Sequence, residues 1–124
     1  MDQIRYNKRE EAYEITYKLW EKDMTVRFYV EEQKTIIDNI SEIAKKLDKV
    51  NNGRKQIAEA IASGGYYRGF AETLAENMQM DSVYVDIDDD GVVVCFTVEG
   101  TDGCLAPIAV EYGFEDMTEV VGWA

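Results

Sequence analysis

The hydrophobic period changes twice along this chain, and that constrains its fold more than any other feature. Apolar side chains alternate with polar ones over residues 11–30, recur at helical spacing from 34 to 78, and alternate again from 81 to 112. Alternation puts successive side chains on opposite faces of a strand, whereas the longer period draws a stripe along a helix. The order is therefore strands, helices, strands. It predicts an α+β fold: a mainly antiparallel sheet of five to six strands with two to three helices packed on one face. At 124 residues a single domain spanning 1–124 is expected.

Within the first block, Tyr13, Ile15, Tyr17 and Leu19 share one face, as do Met24, Val26, Phe28 and Val30. Pairing Leu19 with Met24 sets Tyr17 against Val26, Ile15 against Phe28 and Tyr13 against Val30, which predicts a hairpin closed by the four-residue turn Trp20–Asp23. Trp20 and Tyr29 then point outward, where exposed aromatics can anchor a partner, and Trp123 is placed to join them. In the second block, Ile36, Ile37, Ile40, Ile43, Ala44, Leu47 and Val50 follow one helix. Thr35 with Asp38 gives a capping-box-like start, and Glu42 with Lys46 an i,i+4 pair on the wet face. Asn51-Asn52-Gly53 ends that helix. A second is expected over about 54–63 and a third over about 67–78, the latter carrying Phe70, Leu74, Ala75 and Met78.

The third block contains the densest motif, Asp86-x-Asp88-Asp89-Asp90-Gly91, which matches the first half of an EF-hand calcium loop. Such a loop needs a bidentate glutamate at its twelfth position and helices on both flanks. Thr97 stands at that position and the flanks alternate as strands. A hairpin with Asp90-Gly91 at a type I′ turn fits better, because it sets Ile87 opposite Val94, Val85 opposite Phe96 and Val83 opposite Val98. Asp86 and Asp88 then point outward beside Tyr84. A divalent-cation site on Asp86, Asp88 and Asp90 is kept as the alternative. Beyond the turn cluster 99–103, Ile108, Val110 and Tyr112 mark a strand that Pro107 starts late or holds at an edge, and Glu119–Trp123 a short last one.

Charge and composition exclude several function classes. The chain has no histidine, which removes Ser-His-Asp and Cys-His nucleophile activation and histidine metal ligation together. It carries no Walker loop and no GxSxG elbow. Carboxylate-only catalysis leaves no linear signature, so a carboxylate-dependent hydrolase stays as an alternative. Cys95 and Cys104, nine apart, match no zinc or redox spacing. No cofactor is implied. No apolar run nears the roughly 18 residues of a membrane span and the start of the chain has no apolar leader core, so a cytoplasmic location is expected.

The net charge of −12 is unevenly spread: residues 1–56 carry 12 basic and 11 acidic side chains, a sum of +1, and residues 57–124 carry 14 acidic ones against Arg68 alone, a sum of −13. Nucleic acid and anionic membrane call for the opposite sign, so neither is an expected partner. A basic protein is. The expected docking residues are Asp86, Asp88, Asp89, Asp90, Glu99, Asp102, Glu111, Glu115, Asp116 and Glu119, which all fall in predicted strands or turns; the bland alternative is that they only keep the protein soluble. The glycine–aromatic–arginine stretch Gly64–Phe70 reads as an interhelical turn anchored by Tyr66 or Tyr67, with Arg68 ion-paired to a carboxylate.

The ordering of a hairpin, helices, "FAETLAENMQMDSVYVDIDDDGVVVCFTV", the strand "GCLAPIAVEYG" and the closing "EDMTEVVGWA" resembles a group of small bacterial domains of unknown function. The resemblance covers about residues 11–124. It implies an α+β fold and either an immunity-like role in toxin–antitoxin neighbourhoods or no assigned role, and it carries over no catalytic residues. The function expected from the sequence is a non-enzymatic protein-binding domain, an immunity-like inhibitor or adaptor, acting by occlusion.

Overall fold

A computed structural model of the protein describes residues 3–113 and 117–124. The described chain is α+β: a seven-stranded sheet in sequence order, antiparallel throughout except at its third junction, with four helices inserted there. The strands are β1 (Arg5–Asn7), β2 (Ala12–Leu19), β3 (Lys22–Phe28), β4 (Met78–Asp88), β5 (Gly91–Gly100), β6 (Ile108–Tyr112) and β7 (Thr118–Trp123). The helices are α1 (Gln33–Asp38), α2 (Ile40–Asn52), α3 (Arg54–Ser63) and α4 (Ala71–Glu76), and a short 3-10 turn covers Thr101–Gly103. The sheet exceeds the expected five to six strands. The unforeseen β1 has only three residues, too few for alternation to register.

The two sequence halves meet at the parallel β3–β4 pair, where Val26, Arg27 and Phe28 face Val83, Tyr84 and Val85. A parallel neighbour demands a long crossover, and α1–α4 supply it. One sheet face, bearing Ile15, Leu19, Val26, Phe28, Val83, Val85, Val94, Phe96 and Val110, merges with Ile36, Ile43, Leu47, Val50, Ile57, Ile61 and Leu74 of the helices in a single core. The opposite face carries Arg27, Tyr84, Asp86 and Glu119, and is termed the open face here.

Both hairpins pair two positions out of the expected register. Leu19 pairs with Lys22 and Ile15 with Val26, leaving Trp20-Glu21 as a two-residue turn in which both residues have positive φ, 51° and 67°. Such conformations cost roughly 1–2 kcal/mol for each non-glycine residue. Tertiary contacts outweigh that cost. The Trp20 indole is buried, not outward: its Nε1 donates to the Val50 carbonyl at 3.0 Å, its backbone N–H donates to Asn51 Oδ1 at 2.8 Å, and the Arg54 guanidinium lies 5.4 Å from its ring centre. Burying a large side chain contributes about 2–3 kcal/mol and each hydrogen bond about 1. In the second hairpin Ile87 pairs with Val92 and Val85 with Val94, so the loop is Asp89-Asp90 and not Asp90-Gly91. Neither aspartate has positive φ. Asp88 Oδ1 instead accepts the Asp90 N–H at 2.8 Å, and Gly91, at φ 133°, takes the strained position after the turn. An aspartate first and a glycine fourth is the preference of a type I turn.

The helical block is also more divided than its period suggests. Asn39 splits the expected first helix: its N–H donates to the Ile36 carbonyl at 3.1 Å while its own carbonyl accepts from Ile43 at 3.0 Å, so it ends α1 and starts α2. Glu32, not Thr35, stands at the N-cap of α1 and gives no side-chain cap; Asp38 pairs with Lys34 at 2.7 Å. Lys46 is buried and not on the wet face. Its ammonium donates to the carbonyls of Val92, at 2.5 Å, and Gly113, at 3.0 Å, with Glu42 at 3.7 Å. α4 is shorter than the expected 67–78 helix. Phe70 precedes it and is 79% exposed, while Met78 belongs to β4. β6 starts directly after Pro107 but lies inside the sheet, between β5 and β7, not at an edge.

Candidate functional site

The registers align one residue from every strand into a single row across the open face. Arg5 faces Glu14, Glu14 faces Arg27, Arg27 faces Tyr84, Tyr84 faces Cys95, Cys95 faces Glu111 and Glu111 faces Glu119. Its two ends differ in kind. At the β1–β3 end, Glu14 is buried among donors: Arg27 Nε lies 3.1 Å from Oε2, Arg5 Nε 3.4 Å from Oε1, and Asn7 Nδ2 donates at 3.0 Å. Burial pushes its carboxyl up, but the hydrogen bonds from Asn7 and Arg27 and the charges of Arg27 and Arg5 outweigh burial and hold it below the usual value. At the β6–β7 end two glutamates stand directly opposite each other. Like charges in that position are destabilising, and among the described residues neither has an ion-pair partner.

Tyr84 and Cys95 form the middle of the row. Hydrogen bonding with Cys95, then its charge and burial, with Asp86 and Glu111 adding repulsion, push the Tyr84 hydroxyl up to about 12. Burial pushes the Cys95 thiol up to about 11, with Glu111 and Asp86 adding to it and Tyr84 opposing. A thiol held protonated in this way is a poor nucleophile and a poor metal ligand. The exposed ring of Tyr29 meets Tyr84 edge-on with centroids 5.8 Å apart, which extends the aromatic centre onto the end of β3.

The expected docking residues divide into three places. Asp86, Asp88, Glu99, Glu111 and Glu119 stand on the open face of β4–β7, and Glu99 accepts from Gln79 Nε2 at 2.9 Å. Asp89 and Asp90 form the exposed β4–β5 tip. Asp102 lies beyond the other end of β5, at φ 57°. Glu115 and Asp116 lie outside the described residues. Among the described residues no three carboxylate or thiol side chains are grouped to hold a metal ion, and the EF-hand-like aspartates serve the turn through the Asp88–Asp90 bond. Cys95 and Cys104 are both free thiols. Tyr66 anchors the α3–α4 turn by packing edge-on against Trp123 at 5.1 Å, and Arg68 makes no ion pair among the described residues.

Sequence reasoning missed the far end of the first hairpin. Two concavities, about 350 Å³ and 330 Å³, flank the turn and share Trp20, Glu21 and Arg54. Arg54 is already engaged, donating to the carbonyls of Ala75 and Met78. The larger concavity also holds Glu76, and its two carboxylates, Glu21 and Glu76, are both exposed. The positive φ at Trp20 leaves no mark in the residue type, which is why the sequence did not disclose it. Comparison with protein-family models, with curated proteins and with solved structures returns no match to this chain.

Proposed function

We propose that this chain is a non-enzymatic protein-binding domain, an immunity-like inhibitor or adaptor, that docks a basic partner on the acidic open face of β4–β7. The observation that carries the reading is the asymmetric row. Glu14, the one carboxylate in the first half of the row, is matched by Arg5 and Arg27 within the fold, while Glu111 and Glu119 face each other with no ion-pair partner among the described residues, on the sheet face that also carries Asp86 and Asp88. Opposed potentials accelerate association and are weakened by salt, so the surface acts through occlusion and steering.

The test is capture from a lysate of the source cells, washed through a salt gradient, with wild type and an Asp86→Asn, Asp88→Asn, Glu111→Gln, Glu119→Gln variant run side by side. A basic protein held by wild type and released early from the variant is expected. Identical retention on both would remove the reading.

A further inference from the structure

We infer that the outer edge of β7 receives an extended basic segment of the partner as an eighth strand. This inference rests on the basic-partner reading and specifies how that partner binds. β7 is the last strand of the sheet, and among the described residues nothing pairs with its outer side. Its inner side is clamped at both ends: Gly113 N–H donates to the Met117 carbonyl at 3.1 Å, and Ala124 N–H to the Pro107 carbonyl at 3.0 Å. The outward backbone groups are thus held ready in strand geometry, which is what strand addition requires. Apolar surface accompanies them, since Met117, Val121 and Trp123 are 63%, 58% and 58% exposed.

The chemistry of the occupant follows from the row. On β2, Glu14 sits between arginines on both adjacent strands, with the β3 guanidinium 3.1 Å away. On β7, Glu119 has a glutamate on one side and no strand on the other. A lysine or arginine on an eighth strand would reproduce beside Glu119 the arrangement that the fold already uses at Glu14. A second copy pairing through its own β7 does not fit. It would bring another Glu119 and a net charge of −12 to the same edge, and the bulge in β7, where Val110 faces Val120 but Ala109 faces Gly122, interrupts the long flat edge such pairing needs.

The experiment titrates two octapeptides of equal charge, alternating Lys-Val and the same sequence with every backbone amide N-methylated, into the isotope-labelled protein at low salt. Affinity and amide-exchange protection of β7 are read by NMR. The methylated Lys-Val peptide keeps the charge and side chains but has no backbone N–H to donate to a strand ladder. Lys-Val is expected to bind at least about tenfold more tightly, equivalent to about 1.4 kcal/mol, and to protect amides of β7. Replacing Glu119→Lys, an exposed position, is expected to abolish that preference. Equal binding of both peptides without β7 protection would overturn the edge inference and leave the acidic-face reading standing. Binding of neither would overturn the edge inference and count against the acidic face as well.

Discussion

At the scale of single residues, buried polar groups here are tied to specific partners, and the partners set how each responds to pH and reagents. The Glu14 carboxyl lies below its ordinary value of 4.5 because of Asn7, Arg27 and Arg5, despite burial. A depressed carboxyl contributes stability above its unfolded pKa and loses it as pH falls through the folded one. Urea midpoints of wild type are therefore expected to fall more steeply below about pH 4.5 than those of Glu14→Gln. Cys95 gives a second test. Its thiol is buried and pushed up to about 11, whereas Cys104 is exposed. Alkylation of the native protein at pH 8 followed by mass spectrometry is expected to modify Cys104 alone, with Cys95 reacting only after denaturation. Rapid labelling of Cys95 in the native state would show that the Tyr84–Cys95 packing opens readily.

At the scale of elements, period disclosed the existence of nearly every strand and helix but not the registers. In both hairpins each residue's partner lies two positions from the expected one, the first turn closing on two residues and not four and the second sliding back from Asp90-Gly91 to Asp89-Asp90, and the reason is the same in each. A shift of two keeps every side chain on its own face, so apolar pairing cannot tell the two registers apart. The choice fell to contacts invisible in local sequence: Trp20 with Val50 and Asn51 in one turn, and the Asp88–Asp90 bond with Gly91 in the other. Asn39 similarly divides a helical stripe that is continuous in the sequence. The open-face position of Asp86 and Asp88 was legible, since parity survives the shift, while the Glu14–Glu119 row was not, because it needs all six registers at once. The turns can be tested directly. Glu21, exposed at φ 67°, is expected to gain up to about 1 kcal/mol on Glu21→Gly, less the added entropy of the unfolded chain. Gly91→Ala, at φ 133°, is expected to lose about 1–3 kcal/mol. Urea unfolding of both variants checks the opposite signs.

At the scale of the whole molecule, charge is segregated by the order of strands. Because the sheet runs in sequence order, the half that sums to +1 and the half that sums to −13 become two ends of one sheet, joined by three parallel residue pairs. Like-charge repulsion within the β4–β7 end opposes folding, and Glu111 directly opposite Glu119 is one case of it. Salt screens exposed charges over a distance of about 10 Å at 0.1 M, so repulsion of this kind weakens well before hydrophobic burial is altered. The melting temperature is therefore expected to rise as sodium chloride increases from about 0.01 to 0.15 M, opposite to a fold held by surface ion pairs. A variant with Glu111→Gln and Glu119→Gln should start higher and rise less, because its repulsion is already reduced. The Lys34–Asp38 pair works in the other sense, being exposed and stabilising, but it is one pair against an excess of thirteen negative charges in residues 57–124. A melting temperature that fell with salt, equally in both proteins, would mean that attractive pairs dominate the surface. The acidic end would then carry no stored repulsion for a basic partner to relieve.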